Sequence, residues 1–188
     1  MDFTTMQRAC ASTERTIEGV TTEHYDLATP CVDWNTWALL NHVLGTLALG
    51  AGLLGDVEPT VQMAPGSVPD TDLVGDDPVK AYRIGVDRLL VAAGGDALTR
   101  SHSTPLGAMP GSVLGGFTTL DIAVHGWDLA KATGQDAELD DALADEVLTF
   151  AMQTITDTTR APRIGPEVTT GPGASVTDRL VAFLGRHP

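Results

Sequence analysis

Asp121 and His125 lie four residues apart in the run LDIAVHGWDLA, residues 120–130. On an α-helix that spacing stacks two side chains on one face, close enough to share an ion. A carboxylate and a neutral imidazole are two of the three protein ligands that an open divalent-metal site needs. The best candidate for the third is His42, in a separate, strongly apolar stretch. Spacing alone does not establish the pair, because 25 of the 188 residues are acidic and a chance partner for one of five histidines is expected. The setting says more. Thr118, Asp121, His125 and Asp128 form a polar stripe on a stretch otherwise apolar nearly all round, through Phe117, Leu120, Ile122, Val124, Trp127 and Leu129. A helix apolar on most sides is usually buried, so the stripe is either a narrow solvent face or the lining of a pocket. His42 has a plainer alternative too, a core histidine bonded to a backbone carbonyl, which on the residues alone is the commoner case.

The elements that must position these groups read as helices. Residues 4–20 repeat apolar or small side chains every three or four positions, at Met6, Cys10, Thr13 and Ile17. A connection with Pro30 leads to a helix over 35–54, capped by Asp33 or Asn35 and carrying His42 among Leu, Ala and Gly. Residues 55–76 hold Pro59, Pro65 and Pro69 without a sustained period. A connection of that length is often a lid or binding loop. Asp76 or Asp77 caps a helix that opens at Pro78 and stops before Gly94–Gly95. The stripe-bearing helix spans 112–133 and ends at Gly134. A further helix is expected over 140–158 and a short one over 175–184, with a Pro- and Gly-rich loop over 161–174. No stretch alternates with the period of a strand; 61–63 and 168–170 are the weak candidates. The expectation is an all-α, single-domain chain over 1–188, a bundle of four main helices and a short terminal one, with 140–158 as a fifth helix.

Composition narrows the function. The formal charge of −14 and pI of about 4.4 argue against nucleic acid and anionic membrane surfaces as partners. Two cysteines, Cys10 and Cys31, make no disulfide scaffold. The opening MDFTTMQRAC is not that of a signal peptide. The longest apolar run, 43–54, is interrupted by Gly45, Thr46, Gly50 and Gly52 and is shorter than a membrane span. A cytoplasmic protein is the default. No phosphate loop, dinucleotide fingerprint, C-x-x-C, H-E-x-x-H or nucleophile elbow is present.

Three segments together resemble one family: PCVDWNTWALLNHV (30–43), DIAVHGWDLA (121–130) and DRLVAFLGR (178–186). The chain is similar to the metal-binding group of DinB-like four-helix bundles related to the N-terminal domain of mycothiol-dependent maleylpyruvate isomerase. The resemblance implies a DinB-like four-helix bundle, here with an additional short C-terminal helix. It also implies a divalent metal held by His42, Asp121 and His125. In the isomerase the acid is glutamate; the aspartate here draws the carboxylate back by one methylene. Two imidazoles and a carboxylate suit zinc first, with nickel, iron or manganese as alternatives.

By the same resemblance, a low-molecular-weight thiol such as mycothiol is the expected cosubstrate. The expected chemistry is transfer to, or isomerisation of, small electrophiles, with a metal lowering the pKa of the bound thiol. Asn41, Asp128 and His102 are candidates for contacts to substrate or behind the metal ligands, and the 55–76 loop for closing the mouth. Trp34 and Trp127 read as packing residues. The isomerase has a further C-terminal domain without counterpart here, so a non-catalytic metal-binding or stress-response module is the alternative. Bundles of this kind can pair through exposed helix faces, which leaves a homodimer open.

Overall fold

The computed structural model describes residues 1–64, 66–105, 107–160 and 164–188. Seven α-helices are present among them: α1 (Phe3–Glu18), α2 (Thr36–Leu54), α3 (Pro78–Ala92), α4 (Gly111–Thr133), α5 (Asp141–Thr154), α6 (Asp157–Arg160) and α7 (Val176–Phe183). Their starts follow the local chemistry. Asp2 caps α1 through the Thr5 amide, and Asn35, rather than Asp33, caps α2 by accepting from Ala38 N at 2.9 Å. Asp77 caps α3 with Pro78 in the first turn, and Ser175 and Asp178 form a capping box on α7. Gly134 closes α4 in the left-handed conformation (φ 70°).

Four helices close a ring. α1 packs on α4, α4 on α2, α2 on α3 and α3 on α1, while α5 lies on α4 and pairs with α7. α2 and α4 lack a continuous polar face, and both are buried along most of their length. α2 is, by length and composition, apolar enough to cross a membrane, contrary to the reading of its glycine-broken run; 61% of that window is buried among the chain's own elements. Its apolarity serves the core, where Leu39, Leu40, Val43 and Leu47 meet Leu89, Ile122 and Ile17.

Three expectations are corrected. A two-stranded antiparallel hairpin, β1 (Ser101–Thr104) with β2 (Gly107–Pro110), sits where only a connection is expected. Its strands have four residues each and no apolar alternation, so their pairing rests on backbone bonds that periodicity does not report. Residues 61–63 and 168–170 are not strands, although Val168 N donates to Ala182 O at 2.9 Å. The helix expected over 140–158 stops at Thr154, because Ile155 turns extended (φ −97°, ψ 111°) and buries its side chain; α6 follows as a separate turn. Within the two loops read from the sequence, Pro65 and residues 161–163 lie outside the described residues.

The 55–77 connection is seated on α2. Asn41 donates from Nδ2 to Pro69 O (3.1 Å) and Thr71 O (3.0 Å), and its Oδ1 accepts from Leu73 N (2.8 Å). A Cβ at Gly45 would stand 2.6 Å from Met63 Sδ, and one at Gly52 would stand 2.7 Å from Pro59. These small residues let the loop lie close against the helix.

Candidate metal centre

α2 and α4 bring His42, Asp121 and His125 together. One potential ligand atom from each lies within 4.8 Å of the other two. Asp121 Oδ1 is 3.2 Å from His42 Nε2, and Asp121 Oδ2 is 3.8 Å from His125 Nε2. The imidazole centroids of His42 and His125 are 4.9 Å apart and edge-on. Exposure is graded: 1% for the His42 side chain, 12% for His125 and 26% for Asp121, so solvent reaches the carboxylate while the rings are enclosed. The polar stripe of α4 therefore faces inward over Asp121, His125 and Asp128, and Thr118 bonds back to Leu114 O beside Gly50.

The far nitrogen of each ring has an acceptor for a partner. His42 Nδ1–H donates to Ser67 O at 2.6 Å, and His125 Nδ1–H donates to Asp128 Oδ2 at 2.9 Å. A neutral ring protonated at Nδ1 carries its lone pair on Nε2. Both lone pairs then point at the Asp121 carboxylate, which is itself an acceptor. Three acceptors facing one another require positive charge between them, supplied by ring protons or by a metal cation. Burial alone would raise the Asp121 carboxyl. The charges of His42 and His125, with hydrogen bonds from His42 and Thr46, outweigh it and hold the group well below the usual carboxylate range. Burial pulls the His42 imidazole down, and Asp121 more than compensates, leaving it raised.

Behind the rings lies a second layer. Asp128 is fully buried and meets a bidentate guanidinium, with Arg186 Nε at 3.2 Å from Oδ1 and Arg186 Nη2 at 2.8 Å from Oδ2. Burial would raise this carboxyl, but His125 and Arg186 lower it to about 2. Cys31 Sγ is 3.1 Å from Asp128 Oδ2 and 3.6 Å from His125 Nδ1. Burial and the Asp128 charge push its thiol far up, so it is a hydrogen-bond donor and no ready nucleophile. The Trp34 ring stands 4.7 Å from His42 and 6.1 Å from His125, walling one side.

The remaining residues singled out in the sequence fall elsewhere. Asn41 spends its amide on the loop that carries Ser67. His102 is buried and bridges Asp56 Oδ1 (2.9 Å) and Ala97 O (2.7 Å), holding β1 to the end of α2. Trp127 is buried on α4 under the Lys131 ammonium. Sequence reasoning missed Thr46, which donates to Asp121 Oδ1 at 2.9 Å; its position one turn after His42 could have marked it. Arg186 ends the family-like segment 178–186 but nothing in that segment gives it a role, and the Ser67 carbonyl carries no local mark.

Comparison with known proteins agrees with this architecture. The family model of the mycothiol maleylpyruvate isomerase N-terminal domain matches residues 6–130, which takes in α1 through nearly all of α4. Uncharacterized proteins from two strains of Mycobacterium tuberculosis are each 32% identical over 161 residues, covering 84% of this chain and 82% of theirs. A crystal structure of a histidine-to-alanine mutant of mycothiol-dependent maleylpyruvate isomerase superposes with a TM-score of 0.58 at 16% identity. The match covers 78% of this chain and only 65% of that one, so it speaks for the fold. From the family match over residues 6–130, with a fold shared with the isomerase, the chain belongs to the mycothiol maleylpyruvate isomerase N-terminal domain family.

Proposed function

We propose that this protein binds one divalent metal ion, zinc in the first instance, through His42 Nε2, Asp121 and His125 Nε2. We further propose that it works on small electrophiles with a low-molecular-weight thiol such as mycothiol. The observation that carries the metal reading is the pairing of both Nδ1 atoms with pure acceptors, which turns two lone pairs toward one carboxylate. Metal-bound histidines ordinarily have such a partner behind them. The thiol and the electrophile come from the family, whose name carries mycothiol and maleylpyruvate isomerase.

A 2+ ion held by two imidazoles and a carboxylate would keep a residual positive charge and leave a position for a thiol or water, whose pKa it would lower toward neutrality. The chain's own residues prepare that position. Ser67 O and Asp128 fix the ring orientations, and Thr46 fixes one oxygen of Asp121. Trp34 shields the imidazoles on one side, and the partly exposed Asp121 marks the approach from solvent.

The test is elemental analysis of untagged protein purified without chelator, as wild type and His42→Ala. About one metal per chain, lost in the variant, is expected. Wild-type protein that takes up no metal after dialysis against zinc overturns the reading. Turnover of activated electrophiles with and without added thiol then separates an enzyme from a metal-bearing module.

A further inference from the structure

His125 belongs to two ligand sets. Its Nε2 faces Asp121 and His42, while its Nδ1 lies with Asp128 and Cys31 in a second cluster whose ligand atoms are also within 4.8 Å of one another. In that second cluster the sides are 2.9 Å (Nδ1 to Asp128 Oδ2), 3.1 Å (Sγ to Asp128 Oδ2) and 3.6 Å (Sγ to Nδ1). Imidazole, carboxylate and thiol form a donor set that zinc takes readily, and the sulfur makes it attractive to soft cations. The cluster already holds a cation. Arg186 Nη2 lies 2.8 Å from Asp128 Oδ2 and 3.5 Å from Cys31 Sγ, and Nε takes the other carboxylate oxygen at 3.2 Å. The Arg186 side chain is 12% exposed, and its Nη1 is further tied to Leu184 O at 3.1 Å.

We infer that Arg186 is a resident cation that closes the Cys31–His125–Asp128 set to metal and so commits His125, through Nε2, to His42 and Asp121. This rests on the metal reading above. The physical argument is competition for the same electrons. A metal on the second set would need the lone pairs of Asp128 Oδ2 and Cys31 that Arg186 now engages, and it would face the repulsion of a fixed positive charge at contact distance. It would also strip the proton from His125 Nδ1, which now holds the ring in the tautomer that frees Nε2. Arginine suits the task because its charge persists at any working pH and its fork fits a carboxylate bidentately. Once the guanidinium is removed, thiol, carboxylate and imidazole are left facing one another with no cation among them.

Cobalt(II) substitution reads the difference, because thiolate ligation gives intense near-ultraviolet charge transfer that nitrogen and oxygen ligands do not. Wild type, Arg186→Gln, Arg186→Lys and the double variant Arg186→Gln/Cys31→Ser are titrated with cobalt and checked for helical content. Wild type and Arg186→Lys are expected to lack the sulfur band, Arg186→Gln to gain it, and the double variant to lose it again. A sulfur band in wild type overturns the inference whether or not any variant folds. So does a folded Arg186→Gln whose spectrum matches wild type. If wild type takes up no cobalt while Arg186→Gln takes up thiolate-bound cobalt, the role of Arg186 stands and the His42–Asp121–His125 reading fails.

Discussion

At the scale of single residues, the proposed metal site depends on what stands behind His42, Asp121 and His125. Asp128 orients His125 and neutralises Arg186, so Asp128→Asn weakens the first bond and strands the second charge. Metal affinity is expected to fall about 10- to 100-fold, measured by chelator competition, as for other partners behind metal ligands. Stability should fall by about 3 kcal/mol, at the lower end for a broken buried pair because Arg186 keeps some contact with solvent. Thr46→Val removes one bond to Asp121 and should cost about 1 kcal/mol in urea unfolding. Cys10 supplies a pH dependence. Burial pushes its thiol up to about 12 from 9.0. The unfolded chain therefore releases this proton first as pH rises above 9, and stability falls through that window by up to about 1.4 kcal/mol per pH unit. The penalty of Cys10→Ala should shrink correspondingly between pH 9 and 11; a penalty independent of pH removes Cys10 as the source.

At the scale of elements, close approach decides the geometry. Gly126 follows His125 on α4, and a Cβ there would stand 2.3 Å from Thr13 Oγ1 on α1. Gly126→Ala should cost about 1–3 kcal/mol as the two helices part, lowering the thermal midpoint. The 55–77 connection is held by Asn41 and ends up presenting the Ser67 carbonyl to His42. Asn41→Ala should therefore loosen a segment remote in sequence from the ligands. Limited proteolysis should show new cleavage within this connection, together with weaker metal binding. An unchanged digestion pattern would mean that packing against Gly45 and Gly52 alone seats the loop.

At the scale of the molecule, the proposed metal would join α2 to α4 and so be coupled to folding. Zinc at about 100 times its Kd should add about 2.7 kcal/mol to the unfolding free energy, visible as a rise in the melting midpoint that chelator reverses and His42→Ala abolishes. The rise should fade as pH drops, because protons compete for the two ring nitrogens. Much of this architecture is legible in the chain itself. The helix periods, the caps at Asn35 and Asp77, and the glycine stop at Gly134 are local, set by backbone bonding within a few residues, and they survive into the fold. The i, i+4 spacing likewise puts Asp121 and His125 on one face before any tertiary contact forms. The hairpin at 101–110 and the break at Ile155 are less legible, since short backbone pairing and the burial of one side chain override local preference. Tertiary structure alone decided that the polar stripe faces inward, that Ser67 O and Asp128 partner the two Nδ1 atoms, and that Cys31 reaches His125, and Arg186 reaches Asp128 behind it, from far along the chain. Those choices depend on which elements pack together, and no local spacing encodes the distance between residues 31, 125 and 186.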